Sequence, residues 1–281
     1  MRRLFWLLIG VSLALIAVAG ATALSFAQTR HLLQGLLNGP EQLTALGDNE
    51  QVRYEAGGEG FAREVEKLLP AATAKIEATQ GRAFEHPVTI GVYTTMDAFV
   101  AGNGTGSDAP LGVMSFGRVT LSPKLFGPQH HRLPAILTHE LSHAHLYGWI
   151  GGVAYIYLPN WFKEGLAVMV SDGGGGEAVS EAAARAALKR GERIVVNDVG
   201  DFKKLTDVPL EKAPPGKPDW YAIVLAYREA GMFVTWLHDS DRTAFDRMFK
   251  AILEGGKFTD AVNAGYNADI QSLWQKFLAA N

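Results

Sequence analysis

The sequence predicts an α+β domain, on three observations. A helix-patterned segment near residue 60 is followed by two strand candidates; a proline-opened helix lies mid-chain; and the second half is almost entirely helix-patterned. Phe61, Val65, Leu68, Leu69, Ala72 and Ile76 recur at helical spacing over residues 61–79, and Pro70 is expected to kink or split that helix. Val88 to Tyr93 reads as a strand. Ala101 to Pro110, rich in Gly, Asn, Ser and Asp, reads as a loop, and its glycines lack the strand–loop–helix setting of a phosphate site. Gly112 to Ser122 reads as one further strand. Leu133-Pro134 opens a helix that is expected to run to Tyr147 and end at Gly148, before a loop through Gly151 and Gly152. A second short helix is expected over Trp161–Val170. Gly173 to Gly176 then forms a flexible linker or turn, with helices over 177–190, 219–238, 241–254 and 267–279.

Composition narrows the chemistry. The 281-residue chain is 48% hydrophobic and 20% charged, which suits a globular core, and its formal net charge of −3 gives no reason to expect a nucleic-acid partner. It contains no cysteine, so disulfides, thiolate ligands and a cysteine nucleophile are all excluded, and a metal site must be built from His, Asp or Glu.

The N-terminus points across a membrane. Met1-Arg2-Arg3 is a short basic start, and Leu4 to Ala27 carries no charge and is mostly apolar, long enough to span a bilayer as a helix. Ala21-Thr22-Ala23 and Ser25-Phe26-Ala27 are small-residue patterns at which a signal peptide is cleaved, so anchor and cleaved signal both stand. Residues 1–30 are thus assigned to the anchor or signal, 31–50 to a linker, and 51–281 to one domain outside the cytoplasm.

His139-Glu140-Leu141-Ser142-His143 carries the chemistry. Two histidines four residues apart lie on one helix face and can share a cation. Glu140, offset around the helix, can take a proton from a metal-activated water. Apolar Ile136, Leu137 and Leu141 suit a buried metal helix. Leu146 stands where a three-histidine extension of the motif needs Gly, so that class is excluded. Glu164 follows in Trp161-Phe162-Lys163-Glu164-Gly165-Leu166-Ala167, and on a second, antiparallel helix it can complete a two-His, one-Glu site open to water.

This pair of segments resembles the gluzincin metallopeptidases, specifically the peptidase-MA-like family of bacterial proteins. More distantly it is similar to the M1-family aminopeptidases, in the segment Trp161–Ala167. The resemblance extends over about residues 50–281 and includes a helical C-terminal stretch with Phe258, Ala261 and Trp274. It implies a zincin-like α+β fold with a small mixed sheet, a metal-binding helix and a helical C-terminal lobe. It also implies zinc held by His139, His143 and Glu164, with Glu140 as base, in a protein of the bacterial cell envelope. Related enzymes stabilise the oxyanion with a residue of the C-terminal lobe, which selects Tyr227, with Tyr221 second; a core-packing aromatic is the alternative for either. His145 is expected to be exposed or to stand behind a ligand, while His130 and His131 line the cleft or face water. Asp172 lies eight residues beyond Glu164, and Val168 occupies the place where some gluzincins carry a carboxylate that orients the first histidine.

The resemblance further implies a peptide or protein substrate, pairing as an added strand along 112–122, where Val113, Ser115, Gly117 and Val119 are small. Gly112 to Phe116 lacks the carboxylate with which aminopeptidases capture a free amino terminus, so an endopeptidase is favoured. An idle binding domain of the same fold and a metal-dependent hydrolase of a non-peptide bond are the rival readings.

Overall fold

The structure is a computed structural model that describes residues 27–200 and 207–281. The apolar N-terminal segment therefore lies, but for Ala27, outside the described residues. Among these, no helix is long and apolar enough to cross a membrane.

A five-stranded mixed sheet supports the N-terminal half. Its strands are β1 (Thr44–Leu46), β2 (Asn49–Tyr54), β3 (Ile90–Val92), β4 (Gly112–Ser115) and β5 (Arg118–Leu121), in the order β1-β2-β3-β5-β4. The β1–β2 and β4–β5 pairs are antiparallel, while β3 runs parallel to both β2 and β5. Central β3 is buried throughout, as a strand covered on both faces requires. The expected single strand over 112–122 is instead the β4–β5 hairpin. Phe116 and Gly117 both take positive φ (54° and 77°), the two-residue turn that matches strand twist, and Ser115 pairs with Arg118. This turn leaves β4 on the sheet edge. The stretch 31–50, a linker read from sequence as a tether or a short surface helix, contains most of helix α1 (Ala27–Leu37), a 3-10 turn at Pro40–Gln42, β1 and the start of β2.

Helix α2 (Glu59–Gln80) packs on β2. Pro70 neither splits nor ends it. The proline lies on the exposed side, where water can serve the carbonyl that loses its N–H partner. After α3 (Met96–Gly102) and the hairpin, α4 (Leu133–Tyr157) packs against α2, β4 and β5. Every residue of α4 from Ile136 to Leu146 is buried, so this helix is a core element without a polar face. It does not end at Gly148. Trp149 donates from Nε1 to Ala83 O at 2.8 Å and lies under the Arg82 guanidinium, which holds one more turn in place. The break comes at Gly151, at φ 72° and ψ 165°, and a short helical turn follows to Tyr157.

The C-terminal half is helical: α5 (Asn160–Val170), α6 (Glu181–Lys189), α7 (Asp219–Ser240), α8 (Arg242–Leu253), α9 (Phe258–Tyr266) and α10 (Ile270–Ala280). Helix α9 was not expected as a separate element. Its N-terminal Phe258 meets Trp161 at 5.8 Å and Phe162 at 5.1 Å, and Phe233 of α7 joins Trp161, Trp274 and Phe277 in one buried aromatic cluster. Helices α5 and α7 cross closely because each contributes a glycine. A Cβ on Gly165 would lie 2.5 Å from Ala230 O, and one on Gly231 would lie 2.4 Å from Val168 Cγ1.

Candidate metal centre

Helix α4 brings His139 and His143 to one face, and α5 presents Glu164 opposite them. All three are buried. His139 Nε2 lies 3.3 Å from Glu164 Oε2, His143 Nε2 lies 3.4 Å from the same oxygen, and the two Nε2 atoms are 3.1 Å apart. Bonds of about 2.0–2.1 Å at tetrahedral angles set ligand atoms about 3.3 Å apart. The three edges therefore match one face of a zinc tetrahedron, and the residues fit the ion. Such a group of two imidazoles and a carboxylate can hold a metal ion.

Electrostatics agree with that use. Burial pushes the Glu164 carboxyl up, but His143 and His139 beside it outweigh burial and hold it well below the usual carboxylate range. Burial disfavours a charged His139, yet Glu164 and Glu140 hold its pKa above the ordinary imidazole value. Glu164 is thus kept in its charged form, the form that binds a cation.

Each histidine is also held from behind. His139 Nδ1 donates to Gly174 O at 2.9 Å, and a carbonyl only accepts, so in the neutral ring Nε2 is the nitrogen with the lone pair, facing the triad. His143 Nδ1 lies 3.1 Å from the Tyr155 hydroxyl. Val168, one turn beyond Glu164, packs against Gly231. The run Gly173–Gly176, expected as a flexible linker or turn, is the turn, closed by Gly176 N–H on Gly173 O at 2.9 Å. Gly175 at φ 84° passes so close that a Cβ there would sit 3.3 Å from both His139 and Tyr227.

Glu140 is buried between α4 and β4, where the Met114 N–H bonds its carboxylate; burial raises its pKa, and the two histidines pull the other way without cancelling the rise. Ser142 faces away from the triad and accepts a hydrogen bond from Gln80 Nε2 of α2 at 2.7 Å. Lys163, next to Glu164, is only 3% exposed. Its Nζ donates to Tyr155 O at 3.3 Å and lies 4.6 Å from the Tyr155 ring centroid, and burial lowers its pKa to about 8.

Of the two tyrosines proposed for the oxyanion, Tyr227 is the one beside the triad. Its ring stacks at 8° on His139, 6.3 Å between centroids, and its hydroxyl bonds Glu164. Tyr221 contacts Trp220 and Lys217 instead. His145 is neither exposed nor behind a ligand: it is buried, bonds Arg82 O at 2.9 Å and meets Phe84 edge-on, and burial lowers its pKa. His130 and His131 face water, His130 pairing with Glu64 at 2.8 Å, and exposed Asp172 pairs with Lys75.

Tyr155, Gly174 and Met114 N were invisible to motif reading. Tyr155 lay in a stretch read as a loop, and the other two act through backbone atoms. The one available signal was the glycine run, whose density marks a close backbone approach. Comparisons with protein-family models, with curated proteins and with solved structures gave no match. The site's geometry thus stands alone in pointing to a metal-dependent hydrolase with a His-x-x-x-His plus Glu centre.

Proposed function

We propose that the protein is a zinc-dependent peptidase, acting as an endopeptidase outside the cytoplasm. The observation that carries this is the near-tetrahedral spacing of His139, His143 and Glu164, with Glu140 buried one residue along the same helix. A zinc ion held there supplies a Lewis acid that makes water acidic enough to lose a proton near neutral pH. Glu140 would accept the water's proton as its oxygen bonds to the substrate's carbonyl carbon, and would return that proton to the amine nitrogen as the C–N bond breaks. Tyr227, exchanging Glu164 for the substrate, would donate a hydrogen bond from its hydroxyl to the developing oxyanion and keep its proton. Edge strand β4, packed on α4 beside Glu140, offers the backbone along which an extended peptide pairs. The uncharged run after Arg2-Arg3 supports a site in the bacterial cell envelope, anchored in the inner membrane or exported.

The test is zinc content and turnover of casein and peptide pools by the purified full chain in detergent. Glu140→Gln is expected to retain zinc and lose about 10²–10⁴-fold in kcat. Tyr227→Phe is expected to lower kcat by about 10²-fold or more while KM changes little. A zinc-loaded chain that cleaves no peptide pool sinks the peptidase reading and leaves a non-peptide hydrolase or an idle binding domain.

A further inference from the structure

We propose that Tyr155 is a positioning residue for the metal centre: its hydroxyl accepts from His143 Nδ1–H and fixes that ring with Nε2 turned toward the metal. The inference rests on the two-His, one-Glu reading of the site. The hydroxyl is 3.1 Å from Nδ1, so it stands behind the imidazole as seen from Glu164 and is placed to orient rather than to touch substrate. A ligating imidazole is held in one orientation and one tautomer by the partner of its other nitrogen. His139 has Gly174 O for this; His143 has Tyr155.

Backbone geometry shows how the partner is brought into place. Tyr155 is 12 residues beyond His143 in chain order. On an uninterrupted helix that separation is about 18 Å along the axis, out of hydrogen-bond reach. The break at Gly151 folds the last turn of α4 back and delivers the hydroxyl to the histidine. Its φ of 72° with ψ of 165° belongs to a region open essentially to glycine alone, so residue type and contact are coupled.

The tyrosine is itself clamped. Its ring meets Tyr147 edge-on at 5.7 Å and stands perpendicular to the His143 ring. The Lys163 ammonium covers its face at 4.6 Å and bonds its carbonyl oxygen, and Gly200 N–H anchors Tyr157 O at 2.8 Å. Because Lys163 directly precedes Glu164, the clamp ties the turn that holds His143 to the helix that supplies the third ligand. Tyr147 in turn lies under the β4–β5 turn, where a Cβ on Gly117 would come within 3.1 Å of its ring. One wall thus serves both the metal ligand and the end of the edge strand.

The experiment compares the full chain with Tyr155→Phe, Gly151→Ala, their double variant and Tyr157→Phe. It reads zinc affinity by chelator competition, the visible spectrum of the cobalt-substituted protein, and Tm in excess chelator. Tyr155→Phe keeps the ring and removes only the hydroxyl. It is expected to weaken zinc affinity about 10–100-fold and alter the cobalt spectrum, with Tm in chelator unchanged. Gly151→Ala should weaken zinc binding similarly, and the double variant should fall little further, because the two act on one contact. Tyr157→Phe should match the parent. A Tyr155→Phe chain with parental zinc affinity and cobalt spectrum overturns the inference alone, as does one whose chelator Tm falls while its zinc affinity holds. A parent that binds no zinc overturns the metal reading and this inference with it.

Discussion

His139 and His143 are each engaged at both ring nitrogens, and the two outer partners are chemically different. Gly174 O can only accept, whereas the Tyr155 hydroxyl can accept or donate. His139 is thereby committed to one tautomer, and His143 takes the matching one when its Nε2 faces the ion. Glu140 depends on a different neighbour. A Cβ on Gly112 would lie 2.7 Å from Glu140 Cγ and 3.0 Å from Ile136 Cγ2, both near the rigid root of a side chain. Gly112→Ala is therefore expected to displace the base without touching a ligand. The expected result is a fall of about 10²-fold in kcat, the cost of misplacing a reacting group by about 1 Å, with zinc affinity unchanged. Parental turnover in that variant would mean that Glu140 is not held by β4.

At the scale of elements, the site is a crossing of three helices braced by an edge hairpin. Helix α4 is buried all round through the motif, so its histidines cannot move without disturbing packing on α2 and the sheet. Glu164 depends on how closely α5 lies on α7. Gly165→Ala would drive a methyl into Ala230 O and Val234 Cγ2, at 2.5 and 2.7 Å, and neither lies at the end of a flexible side chain. An overpacking cost of about 1–3 kcal/mol is expected, visible in denaturant midpoint, together with weaker zinc binding as Glu164 is pushed out of line. A stability loss with zinc affinity intact would show that α5 yields elsewhere than at Glu164.

Across the whole molecule, a buried acid away from the candidate metal centre couples stability to pH. Glu229 on α7 is fully buried, accepts from Ile194 N–H at 3.0 Å, and is pushed up to about 9 by burial, with Glu192 adding and that hydrogen bond opposing. Its folded pKa lies above its unfolded value of about 4.3, so its contribution is complete below that value and is lost as pH rises through about 9. Glu229→Gln keeps an acceptor for Ile194 N–H and cannot ionise. The variant is expected to gain stability over the parent progressively from about pH 5 to pH 9, by up to about 1.4 kcal/mol per pH unit. Parallel Tm–pH curves for the two chains would place the proton elsewhere.

Local pattern located the longer helices and the three residues that could hold a metal ion. Helical spacing gave α2 and α4, and it pairs His139 with His143, because residues one turn apart on a helix share a face; Glu164, on the next helix, was pointed to by residue type and its distance along the chain. Turns were less legible. The Phe116–Gly117 reversal hid inside an apparently continuous strand, since alternation persists through a two-residue turn. Pro70 and Gly148 misled because their cost depends on whether water or Trp149 serves the chain at that point. Only the tertiary structure decided what stands behind each ligand. Gly174 O and Met114 N are backbone groups with no side-chain signature, and Tyr155 reaches His143 only after Gly151 has turned the chain. Spacing along a helix determines which side chains meet across one turn; contacts across a break are set by where the chain goes next.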